Sequence, residues 1–152
     1  MRVMLVSSCM KHLRRFSLVV ASLLAVSLTL TACQPSPPAY QTLMQQLKDK
    51  GMDVSPTAEP VTVPFFTPEG WEITVDKTKM IDVYEFTNGV STRTEANNIA
   101  SDGTPSFPPN WHWHEAPHLW MADNVIIIYD GADSHLREAL TQIYGAQFAG
   151  SL

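Results

Sequence analysis

Hydrophobic positions divide the chain into one uninterrupted apolar run and a series of alternating and helical patterns. From Phe16 to Leu30, Leu, Val and Ala are broken only by Ser and Thr and by no charge. Beyond residue 39 the pattern changes. Tyr40, Leu43, Met44 and Leu47 recur at three and four with Gly51 behind them, which predicts an amphipathic helix over Tyr40 to Lys50. Asp53 to Pro60 reads as a polar, proline-punctuated link. Val61, Val63 and Phe65 alternate as a strand that Pro64 places at a sheet edge or ends. Trp71, Ile73 and Val75 alternate with Glu72, Thr74 and Asp76, as a half-buried strand does. Met80 to Phe86 carries apolar residues on both faces and belongs nearer the sheet centre.

In the second half, Asn88 caps a weak helix to about Ala100, with Val90, Ala96 and Ile99 as its sparse apolar side. Ser101 to Asn110 is a loop rich in Gly, Pro and Ser. Trp111 to Trp120 reads as a strand interrupted by Pro117. It turns through Met121-Ala122-Asp123-Asn124 into Val125-Ile126-Ile127-Ile128-Tyr129, the expected central strand. Asp133 caps a last helix with Leu136, Leu140, Ile143 and Tyr144 on one stripe, and Gly145 ends it. The expected fold is α+β, an antiparallel sheet of four to five strands with two main helices packed on it.

The early apolar run has its own meaning. Lys11, Arg14 and Arg15 precede it and the small Thr31 and Ala32 follow, the order of a secretory signal over residues 1–32. Met1 to Cys9 stands oddly ahead of that basic cluster, so translation is expected to start at Met10. Leu30-Thr31-Ala32-Cys33 resembles the bacterial lipobox. The resemblance implies cleavage between Ala32 and Cys33, a diacylglycerol thioether on the Cys33 sulfur and a fatty acyl group, such as palmitate, on its freed amine. One acyl chain holds a protein only reversibly, at about 0.8 kcal/mol per buried CH₂, whereas two or three hold it durably on the bilayer. An uncleaved anchor helix is the alternative, with a segment at the short end of the roughly 17 to 25 residues a span needs.

Residues 33–39 then form the lipidated Cys and a Pro-rich tether, Gln34-Pro35-Ser36-Pro37-Pro38-Ala39, reaching roughly 20 Å at about 3.1 Å per residue. Residues 40–152 form a single domain. The chain is expected to be exported and anchored on an outer membrane, with which Gln34 is compatible, or on the extracytoplasmic face of the cell membrane.

Charge narrows the partners. All 15 acidic residues follow Cys33, while Arg2, Lys11, Arg14 and Arg15 leave with the leader, so six basic residues remain and the formal charge is −9. Such a domain gains nothing from counterion release, which excludes nucleic acid, and is repelled by anionic headgroups. With Cys9 in the leader and Cys33 lipidated, no disulfide is left despite export.

Candidate chemistry concentrates in Trp111-His112-Trp113-His114-Glu115-Ala116-Pro117-His118. On an extended segment His112 and His114 project to one face and could share a Cu or Zn ion, with His118 or Glu115 arriving around the Pro117 bend. The alternative makes the two histidines polar positions between buried Trp111 and Trp113, and His118 a group bonded within the fold. Ser101 or Ser106 with His118 and Asp102 would be needed for hydrolysis, but no elbow motif presents either serine. The aromatic set Trp111, Trp113, Trp120, Phe107 and Tyr129 either lines a ligand groove or partner contact, or builds the core.

Several segments together resemble a family of small, uncharacterised bacterial lipoproteins. They are Pro64-Phe65-Phe66, Ile81-Asp82-Val83-Tyr84-Glu85-Phe86, Ser101-Asp102-Gly103, Trp113 with Pro117-His118, Tyr129-Asp130-Gly131 and Gly145-Ala146-Gln147-Phe148-Ala149-Gly150. Ile81 and Ala146 depart from the pattern, and His112 and His114 lie outside it. The resemblance implies the fold and the location and carries no activity. The expected function is a non-enzymatic binding module of the envelope. It would be held to the lipid bilayer by its anchor and would engage an envelope protein or small ligand. A Cu- or Zn-binding lipoprotein using His112, His114 and His118 is the alternative.

Overall fold

The structure, a computed structural model, describes residues 38–151; Ala32, Cys33, the possible start at Met10 and the tether through Pro37 lie outside them. The first helix, α1, spans Ala39–Asp49 and buries Leu43 and Leu47, one helical turn apart. Gly51, at φ 85°, turns the chain into β1, Val54–Val61. A strand thus occupies the segment expected to be a polar link. Pro56 and Pro60 are tolerated because β1 is an edge strand whose register shifts between them. Val63 and Phe65, expected in a strand, lie in the following loop and are buried all the same.

β2 (Gly70–Val75) and β3 (Lys79–Glu85) form an antiparallel hairpin. Asn88 caps α2, Gly89–Ala96, by accepting from the amides of Val90 and Ser91. This helix is shorter than expected. It buries Thr92 and Ala96 and leaves Val90 66% exposed. The strand expected from Trp111 starts only at Pro117, so β4 is Pro117–Ala122; a two-residue turn then leads to β5, Val125–Asp130. Asp133 caps α3, Ser134–Tyr144, through the Leu136 amide, and β6 is the short Ala149–Gly150.

The sheet has six strands in the order β1-β2-β3-β5-β4-β6, all antiparallel where paired. That is the expected α+β class, with one strand and one helix more. β3 and β5 are central because Ile81, Val83, Ile127 and Tyr129 face one layer while Tyr84, Ile126 and Ile128 face the other. The first layer is closed by α1 and α3, with Leu43, Leu47, Leu136, Ala139 and Leu140 against Trp120 and Ile127. The second is closed by α2 and by loops carrying Phe65, Phe66, Trp111 and Trp113. Two glycines are required by this packing. The Tyr84 ring lies over Gly70, within 2.7 Å of where a Cβ would stand, and Gly150, at φ 109°, leaves no room for a Cβ beside the Pro117 carbonyl.

Among the described residues no helix is long and apolar enough to cross a membrane. The described residues 38–151 fall within one compact unit.

Candidate functional site

A groove of about 680 Å³ opens on the loop-covered face of the sheet. Strand pairing builds its floor. Glu72 lies directly opposite Asp82, Asp82 opposite Ile128, and Ile128 opposite Leu119, so these four form one row across four strands on one face. The row begins with two like charges side by side, an arrangement that costs stability in a sheet. The adjacent row contains Thr74 opposite Met80 and Asp130 opposite Pro117. Glu72, Asp82, Ile128, Met80 and Asp130 all line the groove.

Its outer wall is the segment expected to hold chemistry. Asp130 fastens that segment by accepting the amides of His114 and Glu115 at 2.7 and 2.8 Å, one on each carboxylate oxygen. Trp113 donates its indole N–H to the Gly103 carbonyl at 3.1 Å, and its ring meets Trp111 and Phe65 edge-on. Phe65 in turn packs edge-on against Trp111 and Phe66. The wall is therefore held by rings beneath and by one carboxylate at the side. The Trp111 Nε1 has no partner among the described residues.

Burial pushes the Asp82 carboxyl up to about 7, and the negative charges of Glu72 and Asp130 add to the shift. Among the described residues no cation acts on it, and its side chain makes no hydrogen bond. Lys79 lines the groove, but its Nζ sits 3.0 Å from both Asp76 and Asp133, and those hydrogen bonds hold the lysine above its ordinary range. In the row beyond Asp82, the Tyr84 hydroxyl is buried without a partner among the described residues, and burial pushes it upward, followed by the Asp82 and Glu72 charges.

The histidines do not converge. His112 and His114 are exposed and line the groove, whereas His118 is 1% exposed and lies against Trp120 and Tyr129 on the helix-covered side of the sheet. Its Nδ1 bonds Gln147 Oε1 at 2.9 Å, the role within the fold that was the alternative to ligation. The expected bend failed because β4 starts at Pro117 and turns alternate residues to opposite faces. Among the described residues, no three His, Cys, Asp or Glu side chains are placed to hold one metal ion. Asp102 accepts the Thr104 amide, and no hydrogen bond joins His118 to Ser101 or Ser106.

The aromatic residues divide between the two expected roles. Trp120 is core, Trp111, Trp113 and Tyr129 do both tasks, and Phe107 is 69% exposed. Glu72, Asp82 and Asp130 were not foreseen as site residues. One signal was present, a charge at Asp82 inside a strand apolar on both faces, since unpaired carboxylates are seldom buried. Comparison with family models, curated proteins and solved structures finds no match to the chain. The site is therefore read from its own geometry.

Proposed function

We propose that the protein is a lipid-anchored lipoprotein of the bacterial envelope, attached through Cys33, and that its domain is a non-catalytic binding module for organic cations. One observation supports the ligand class: Glu72, Asp82 and Asp130 converge in a groove where, among the described residues, no cation acts on Asp82. An ammonium or guanidinium group would neutralise that floor, and its carbon body would lie along Trp111 and Met80. Aromatic faces add attraction for cations, about 0.5–2 kcal/mol according to exposure. Mutual repulsion of the carboxylates is relieved either by a proton on Asp82 or by the ligand, so a bound cation would compete with that proton.

Titration of the purified acylated chain with benzylamine, and with benzoate as the anionic control, tests the groove. Benzylamine should shift the tryptophan emission saturably and benzoate should not, and Glu72→Gln with Asp82→Asn should abolish the response. Equal responses to the two compounds, or a response that survives both substitutions, would overturn the assignment. For the anchor, Cys33→Ser should move the protein from the membrane fraction to the soluble one.

A further inference from the structure

The chain enters the domain beside an aromatic surface that the groove does not use. The Ala39 amide donates to Glu85 Oε2 at 3.0 Å, which fixes the point of entry at the end of β3 opposite Lys79. The next residue, Tyr40, stacks on Trp71 with ring centroids 4.8 Å apart and planes 23° from parallel. Trp71 stands on the face that the helices cover and meets α1 through Tyr40 in its first turn, yet it is 41% exposed. Pro38, at the helix start, and Pro60, paired with Trp71 from the edge strand, are exposed as well. The patch is thus two rings and two prolines around one point, the point where the tether arrives.

We propose that this patch rests in the headgroup layer of the bilayer and sets the orientation of the domain, with the groove turned away from the lipid. This rests on the reading of Cys33 as the lipidated residue. Six residues, Cys33 to Pro38, separate the lipid from Ala39. At about 3.1 Å each they hold the patch within roughly 20 Å of the membrane, so docking is in effect intramolecular. Tryptophan and tyrosine favour the headgroup region, where an apolar ring body and a polar tip are both accommodated. The Tyr40 hydroxyl, which accepts from Gln41 Nε2, gives such a tip. Glu85 at the entry, with Glu59 and Glu69 adjoining the patch along the chain, suits zwitterionic and not anionic headgroups. Trp71 stands on the helix-covered face of β2, whereas the groove residues Glu72 and Asp82 project from the loop-covered face, so a bilayer against the patch leaves the groove on the other side of the sheet.

The test uses the acylated full chain in phosphatidylcholine vesicles carrying lipids brominated near the carbonyl end of the acyl chain. Bromine should quench part of the tryptophan emission, and Trp71→Phe, which keeps a ring against Tyr40, should remove that part. Inserting about 20 Gly and Ser residues between Ser36 and Pro37 leaves the domain untouched and should lower the effective concentration about ninefold, weakening the quenching. A wild-type protein that floats with the vesicles unquenched, or quenching that persists in Trp71→Phe, overturns the docking and leaves the anchor intact. A wild-type protein that does not float with the vesicles overturns the anchor and the docking with it.

Discussion

At Asp82 the physics of the whole site acts on one carboxyl. Its folded pKa, about 7, lies above the ordinary 3.8, so the native state binds the proton more tightly than the unfolded chain. The stability this contributes is complete below pH 3.8 and is lost as pH rises through about 7. Asp82→Asn should therefore stabilise the protein at pH 8, on the order of 2–4 kcal/mol, and hardly at all near pH 4. Urea denaturation at the two pH values checks this. The same sign governs binding, because a cation prefers the ionised carboxylate. Glu72 and Asp130 strengthen that preference, and Glu115, His112 and His114 face the same groove from its wall. Benzylamine affinity should rise with pH through about 7, and a flat profile would place the ligand elsewhere.

At the scale of elements, Asp133 joins two that the sheet keeps apart. One carboxylate oxygen caps α3 through the Leu136 amide at 2.8 Å, and the other meets Lys79 of β3 at 3.0 Å. The amide and then the lysine hold the carboxyl below its usual range, so its contribution is present above pH 3.8 and is lost as pH falls through the lowered value. Asp133→Ala removes the cap and the ion pair and should cost about 1–2 kcal/mol. Asp133→Asn keeps a capping oxygen and should cost less than half of that. Equal losses in urea denaturation would mean that the ion pair carries the effect. Helix α3 was legible in advance because its cap, stripe and Gly145 all lie within thirteen residues. β1 was not legible, since Pro56, Pro60 and polar residues argue against a strand until an edge position excuses them.

For the molecule as a whole, charge sets the working range. From Cys33 onward fifteen acidic residues oppose six basic ones, and repulsion among them destabilises the compact state. With Asp82 pushed up and Asp76, Asp102 and Asp133 held down by hydrogen bonds, stability should peak on the acid side of neutrality, at about pH 4–6. Raising salt from low millimolar to physiological strength should increase the melting temperature more at pH 8 than at pH 5, because screening then acts on a larger negative charge. Differential scanning calorimetry at both pH values measures the difference.

What the amino-acid order by itself determined is whatever neighbours along the chain can enforce. Three- and four-residue spacing determined α1 and α3, two-residue alternation determined β2, and runs apolar on both faces determined β3 and β5. Only the tertiary structure decided which polar residues meet. Glu72, Asp82 and Asp130 are separated by up to 58 positions and become neighbours solely through strand register. His118 parts from His112 and His114 because one strand start sends its ring through to the other side of the sheet. Local periodicity is a property of short segments, whereas a binding groove is a property of register, and register is fixed by the packing of both faces at once.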